Sequence, residues 1–279
     1  MGGDPATGDV SAGDPSAAGH FTTVQVRDGL VQGRDFHLLR LRDASIGMYG
    51  GAPREAEVRA LIRSRLADAG KAGRDCTLRI LVRPVAPDAD AGEGMVFRSP
   101  FEVDSPQRGA GTPVAQRIDV EVGPPRLVPA SALRVRSHRG LRPRPEVKHL
   151  ATGLQLDARR AAVAAGFDDA LLVAEDGRVA EGTFWNIAFW DGEVLTWPLA
   201  PVLPGTTLRM LRMAVAAAGL PERWAPVMLH DIGGQRAAVA LNSRGIQEIA
   251  SIDGHLFPGE AAFTARLGAL LAGRAWESF

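Results

Sequence analysis

Four groups of residues in this chain have the types and positions to do covalent chemistry together. The first is an amine. The chain holds two lysines, Lys71 and Lys148, against 30 arginines, so arginine serves wherever a generic surface cation is needed and each lysine calls for its own explanation. Lys71 has a plain one, because it lies in the polar turn Asp68-Ala-Gly-Lys-Ala-Gly-Arg-Asp75. Lys148 follows the proline-broken run Leu141-Arg-Pro-Arg-Pro-Glu146 and is flanked by the apolar Val147 and Leu150. A primary amine in such company can lose its proton by desolvation and form a Schiff base with an aldehyde, which a guanidinium cannot do. The second group is Glu181, in the run Ala180-Glu-Gly-Thr-Phe-Trp-Asn186 with apolar neighbours Val179, Ala180 and Phe184. A carboxylate held there is costly without a cationic or strongly donating partner. A protonated pyridine nitrogen is one such partner, and one of the many arginines is another. The third group, Pro204-Gly205-Thr206-Thr207, sets two hydroxyls and several backbone amides at a helix start. Such a start stabilises a phosphate, although the same run also reads as an ordinary helix cap. Asn242 and Ser243, the fourth group, offer short polar donors in a loop between apolar strands.

A folded chain has to bring these groups together. With 279 residues, 46% of them hydrophobic, it is long enough for one large core or two smaller ones. The formal charge is zero and the arginines are scattered, which gives no footprint for nucleic acid or an anionic membrane. One cysteine, Cys76, excludes a disulfide within the chain and fits a reducing compartment. It lies in an alternating run and reads as a small buried apolar residue. The six histidines are dispersed without metal-ligand spacing. No apolar run approaches the roughly 20 residues that cross a bilayer, and no signal-peptide pattern opens the chain. A soluble cytoplasmic protein is expected.

Residues 1–19 are Gly, Ala, Asp, Ser and Pro with little apolar bulk, and a disordered tail follows. From Phe21, FTTVQV, the turn Arg27-Asp28-Gly29 and LVQG predict a hairpin. Asp35 can cap a helix to about Gly47, and a second helix spans about 54–69 with Val58, Leu61, Ile62 and Leu66 on one face. Cys76 to Val82 alternates as a half-buried strand. Residues 86–115, rich in Pro, Gly, Asp and Ser, read as irregular. Strands are predicted at 116–122 and 133–138, then a helix over 154–165 and a strand over 170–174. The Asp176-Gly177 and Asp191-Gly192 turns flank one long strand through Glu181 to Trp190, in an antiparallel meander that ends at Trp197. A helix over 206–218, strands near 226–229, 237–241 and 246–252, a short helix from Asp231 and a last helix over 260–271 complete the reading. Arg139 to Pro145 is the natural linker. The expected organisation is a tail (1–19), an N-terminal α+β domain (20–138), a linker (139–146) and a C-terminal domain (147–279).

Lysine, carboxylate and anion cradle are the three handles that pyridoxal 5′-phosphate requires. Their order is informative too. Lys148, then EGTFWN (181–186), PGTT (204–207) and LNSRGI (241–246), resembles the class IV aminotransferases, the fold type IV family of pyridoxal-phosphate enzymes. That family includes branched-chain and D-amino-acid aminotransferases and aminodeoxychorismate lyases. FTTVQVRDG followed by HLLRLRDAS is similar to the family's opening. The resemblance covers about 21–254 and implies a two-domain α+β fold, with a small N-terminal α/β sandwich and a larger C-terminal domain built on an antiparallel-rich, barrel-like sheet.

By the same resemblance, Lys148 would hold the cofactor as a Schiff base and Glu181 would partner its pyridine nitrogen. Arg40, Thr206, Thr207, Asn242 and Ser243 would bind its phosphate, and Asn186 would be a further cofactor-binding residue. Arg244 would face a substrate carboxylate, and it reads equally well as a solvated loop arginine. Transamination of an amino acid is the first reading. Elimination from 4-amino-4-deoxychorismate to pyruvate and 4-aminobenzoate is the second, and a non-catalytic member the third. A homodimer acting on small amino and keto acids is implied. The chain departs from the family where His149-Leu-Ala-Thr-Gly153 follows the lysine, a place where many members carry a tyrosine. It departs again in residues 83–115, where the substrate-loop Arg-Gly is not evident.

Overall fold

The computed structural model of the chain describes residues 18–85, 95–97 and 113–279. The expected tail lies outside the described residues except for Ala18 and Gly19. The chain forms two compact units. The first takes in Met1–Pro125, Val147–Gly153 and Glu277–Phe279, and the second Arg126–Glu146 and Leu154–Trp276.

In the first unit β1 (His20–Arg27) and β2 (Leu30–Gln32) make the predicted hairpin, with Val26 opposite Val31. Its two turn residues, Asp28 and Gly29, have φ of 48° and 77°, the left-handed pair that a tight hairpin needs. Helix α1 (Arg34–Tyr49) starts at Gly33, itself left-handed, and Asp35 sits in the first turn rather than at the cap. Its charge still suits the helix dipole there. Helix α2 (Glu55–Asp68) buries Val58, Leu61, Ile62 and Leu66 as the periodicity requires. Strand β3 (Cys76–Pro84), the short β4 (Met95–Phe97) and β5 (Gln116–Gly123) extend the sheet in the order β2-β1-β3-β5-β4. Strand β4 falls inside the stretch read as irregular, where it pairs with Gln116 to Ile118. Most of the remaining 86–115 stretch lies outside the described residues. Cys76 is buried in the core, and that burial pushes its thiol pKa up.

In the second unit the chain runs through β6 (Leu133–Arg139), α3 (Gly153–Ala164), β7 (Asp169–Val173), β8 (Val179–Gly182), β9 (Asn186–Trp190) and β10 (Leu195–Pro198). Helix α4 (Thr206–Ala217), β11 (Glu222–Ala225), a 3-10 turn at Leu229–Gly234, β12 (Ala237–Asn242), β13 (Gly245–Ile252), β14 (His255–Leu256) and α5 (Ala261–Ala272) follow. Strands β9-β12-β13-β6-β7-β8 close on themselves through the β8–β9 pairing, so six strands form a barrel. Strand β6 runs parallel to β7 and β13, and the other neighbours are antiparallel. All five residues of β7 are buried. Leu171 and Val173 join the barrel core with Ile187, Phe189 and Ala240, while Ala170 and Leu172 pack on Ala158 and Ala162 of α3. Covering on both faces explains why this strand reads as an unbroken apolar run. The terminal β15 (Trp276–Glu277) pairs with β2.

Two strand readings are corrected. The long strand through Glu181 to Trp190 is two strands. At Gly182 a Cβ would lie 1.9 Å from the Trp185 ring, so the indole folds back over the glycine, and Gly182 N donates to Trp185 O at 2.7 Å. Over the expected 226–229 only an isolated bridge at Met228 forms, and the strand lies just before it as β11 (222–225), which pairs parallel to β10 with Arg223 and Trp224 exposed. The division into units also differs from the boundary at 139–146. Strand β6 completes the barrel, whereas the backbone around Lys148 pairs with β1.

Candidate functional site

One end of the barrel gathers most of the residues singled out from the sequence. Glu181 on β8 lies opposite Asn186 on β9, and Asn186 lies opposite Leu241 on β12, so three adjacent strands bring Glu181, Asn186 and Asn242 side by side. Glu181 is buried. Its Oε2 accepts from Asn186 Nδ2 at 3.3 Å and from Leu203 N at 3.2 Å. Its Oε1 is 3.5 Å from Nη1 of the buried Arg142. One of the many arginines does therefore face this carboxylate, a partner the sequence left open.

Asn186 links the carboxylate to the helix start, because its Nδ2 also donates to Leu203 O at 2.8 Å, at the entry to Pro204-Gly205-Thr206-Thr207. Gly205 is required for that contact, since a Cβ there would lie 2.0 Å from Asn186 Oδ1. Its φ of −58° suits any residue, so the constraint is space alone. Gly205→Ala is expected to dislodge the Asn186 amide and lower the unfolding free energy by roughly 1–3 kcal/mol, measured by urea denaturation.

Thr206 and Thr207 open α4, where no side chain of Gly205 caps the helix. The Thr207 hydroxyl donates to Asn242 O at 2.7 Å, which ties α4 to the end of β12 and leaves backbone N–H groups as the donors that the helix start presents. Asn242 Oδ1 accepts from Arg244 N at 2.9 Å, closing the Ser243-Arg244 turn between β12 and β13, with Arg244 exposed.

No local pattern singles out Asp169. It is buried on β7, and its carboxylate accepts from Thr183 Oγ1 at 2.7 Å, Trp185 Nε1 at 3.1 Å and Ala170 N at 2.8 Å. These bonds fix the turn that carries the chain from Glu181 to Asn186. Asp169 lies just before the strand expected over 170–174, beside a second aspartate, Asp168.

Lys148 and Arg40 belong to the first unit. Phe21 N donates to Lys148 O at 2.9 Å, Leu150 N donates to Gly19 O at 2.8 Å, and His149 bridges His20. The segment around Lys148 thus lies along β1 like a short added strand. Lys148 Nζ stands over the Phe21 ring, 4.7 Å from its centroid, a cation–π arrangement. Arg40 is half-buried on α1, close enough for its charge, with that of Lys148, to act on His37.

His37 and His20 are buried. The Nδ1 of His37 is 2.7 Å from Thr22 Oγ1, and the Nε2 of His20 is 3.0 Å from Ser45 Oγ. Burial holds both pKa values down at about 3, with Arg40 and Lys148 adding to the effect at His37. The folded chain therefore resists the proton that the unfolded chain takes up near pH 6.5. Each histidine contributes full stability above about pH 6.5 and loses it as pH falls toward about 3. The loss is about 2 kcal/mol per histidine by about pH 5. Denaturant unfolding across this range, with His37→Gln and His20→Gln flattening the profile, is the check.

Among the described residues no group of three or more His, Cys, Asp or Glu could hold a metal ion. No described helix is long and apolar enough to cross a membrane.

A closed barrel that gathers a buried carboxylate and a helix start at one end is the setting in which the comparisons with known proteins become informative. The sequence model of the amino-transferase class IV family matches residues 19–252. The chain belongs to the class IV aminotransferase family. No curated protein matches the sequence. Among solved structures, the chain is similar to a fold IV-transaminase from Curtobacterium pusillum, at 22% identity and a TM-score of 0.71 over 98% of this chain and 93% of that one. It is similar to a putative 4-amino-4-deoxychorismate lyase from Legionella pneumophila, at 19% identity and a TM-score of 0.73 over 96% of each chain. A hypothetical aminotransferase from Mycobacterium tuberculosis in a PLP-bound form gives 20% identity and a TM-score of 0.70, over 96% of this chain and 94% of that one. At these identities the likeness defines the fold, the fold type IV architecture expected from the sequence.

Proposed function

We propose that this chain is a pyridoxal-phosphate-dependent aminotransferase that moves the amino group of an amino acid or related amine to a keto acid, as a cytoplasmic homodimer. The observation that carries the reading is the linkage made by Asn186, whose amide joins the buried Glu181 carboxylate to the entry of α4. The two ends of this group, a ring nitrogen and a phosphate, need a carboxylate and a donor cradle held in fixed relation. Glu181 supplies a buried acceptor and the start of α4 supplies backbone donors, so the residues present fit the cofactor.

When bound, pyridoxal phosphate supplies an aldehyde and an electron-withdrawing ring that stabilises negative charge at an amino acid's α-carbon. Lys148 is the amine that would hold the aldehyde. With an amine substrate bound, the Lys148 Nζ would move the α-proton, first as base and then as acid. Glu181 would partner the ring nitrogen and hold a proton there. Thr206 and Thr207 would bind the phosphate through the N–H groups of the α4 start, with Asn242 and Ser243 as further donors, and Arg40 is kept as a phosphate ligand on the resemblance alone. Arg244 pairs with a substrate carboxylate.

The FTT run at residues 21–23 and the His149 that follows Lys148 favour the lyase as the second reading. In that case the same proton removal is followed by loss of a β-substituent. Purified enzyme supplied with an amino donor and a keto acid is expected to form a new amino acid. Pyruvate released from aminodeoxychorismate without a keto acid, and no amino acid formed, would replace the first reading by the second.

A further inference from the structure

Arg142 is one of 30 arginines, yet it is nearly as buried as the carboxylate it faces, at 7% exposure against 4% for Glu181. Its Nη1 lies 3.5 Å from Glu181 Oε1. Other elements of the second unit also reach Glu181. Leu172 pairs with it from β7, Asn186 donates from β9, and Leu203 N donates from the loop before α4. Asp169 on β7 is engaged by Thr183, Trp185 and Ala170 N. Glu146 acts electrostatically on Arg142.

Burial lowers the proton affinity of Arg142, and Glu181 opposes that effect; a guanidinium remains cationic in proteins regardless. An ion pair this deep adds little stability over an apolar pair of the same size. What it does fix is the protonation state, since a buried carboxyl without a cation takes up a proton.

We propose that Arg142 is a positioning residue that holds the buried Glu181 in its anionic form. The inference rests on the proposed function for its purpose, because only an ionised Glu181 can keep a proton on a ring nitrogen. The pairing itself requires no cofactor, and that separates the two tests.

The experiment compares thermal unfolding of the full-length chain without cofactor, from about pH 5 to about pH 8, for wild type, Arg142→Met, Arg142→Lys and the double variant Arg142→Met/Glu181→Gln. In Arg142→Met the carboxyl pKa is raised in the folded state, so the protonated fold is favoured at low pH and stability is lost as pH rises through that pKa. Its deficit in Tm relative to wild type is expected to widen by roughly 5 °C across the range. His20 and His37 are common to both proteins and cancel in the difference.

Arg142→Lys is expected to keep the deficit constant with pH, and the double variant to remove the pH dependence. A deficit in Arg142→Met that stays the same at every pH, or a double variant as pH-dependent as the single one, overturns the proposal. If Arg142→Met is unfolded at neutral pH, recovery of the fold in the double variant supports the proposal and its failure to recover overturns it. Pyridoxal phosphate added to wild type reports separately: absence of a visible absorption band contradicts the proposed function and leaves the Arg142–Glu181 result standing.

Discussion

Lys148→Ala is expected to remove the visible band of covalently held cofactor and to lower the amino-transfer rate by roughly 10⁴-fold or more. Two separate tasks fall to this one nitrogen, holding the aldehyde and moving the α-proton, so no neighbouring side chain can compensate in both. Its backbone is fixed by hydrogen bonds to β1, and its ammonium stands over Phe21. Replacing the side chain with alanine leaves those backbone bonds in place. The variant is therefore expected to fold with nearly wild-type stability, and a full loss of rate with an intact thermal transition is the signature to look for. Absorbance of the purified variant with added pyridoxal phosphate, together with an amino-transfer assay, measures both effects.

Glu181→Gln is expected to retain the cofactor but to slow the amine half-reaction by roughly 10²- to 10⁴-fold. Glutamine matches the shape of the glutamate and can still face Asn186 and Leu203, but it carries no charge to hold a proton on a ring nitrogen. Arg142 loses its anion at the same time, and a buried cation left unpaired also lowers stability. Rapid mixing of the loaded enzyme with an amino donor, followed by absorbance, separates the slowed step from weaker binding. A rate equal to that of wild type would remove Glu181 from the chemistry.

Much of this fold was legible because its signals are local. The Asp28-Gly29, Asp176-Gly177 and Asp191-Gly192 turns form where the dipeptides occur, and Val58, Leu61, Ile62 and Leu66 face one core as their spacing requires. What was missed depends on contacts between distant residues. The chain reverses between Glu181 and Asn186 because Trp185 packs over Gly182 and Asp169 ties Thr183 and the indole, and no turn dipeptide marks that place. Strand β11 lies at the sheet edge and shows no apolar alternation, its Glu222 and Arg223 followed by Trp224 and Ala225, so no periodic signal marks it.

The candidate site shows the same limit. Glu181 could be singled out because a carboxylate among apolar residues is unusual. Arg142 could not, because among 30 arginines a buried one looks like any other. That the backbone at Lys148 is paired with His20 and Phe21 rather than carried on a strand of the barrel is likewise a fact of tertiary pairing.

The most direct measurement follows from the chain having two lysines. The protein is incubated with pyridoxal phosphate, reduced with borohydride, digested and examined by mass spectrometry. The account predicts a phosphopyridoxyl group on Lys148 and none on Lys71. An adduct on Lys71 alone, or no adduct, would contradict it.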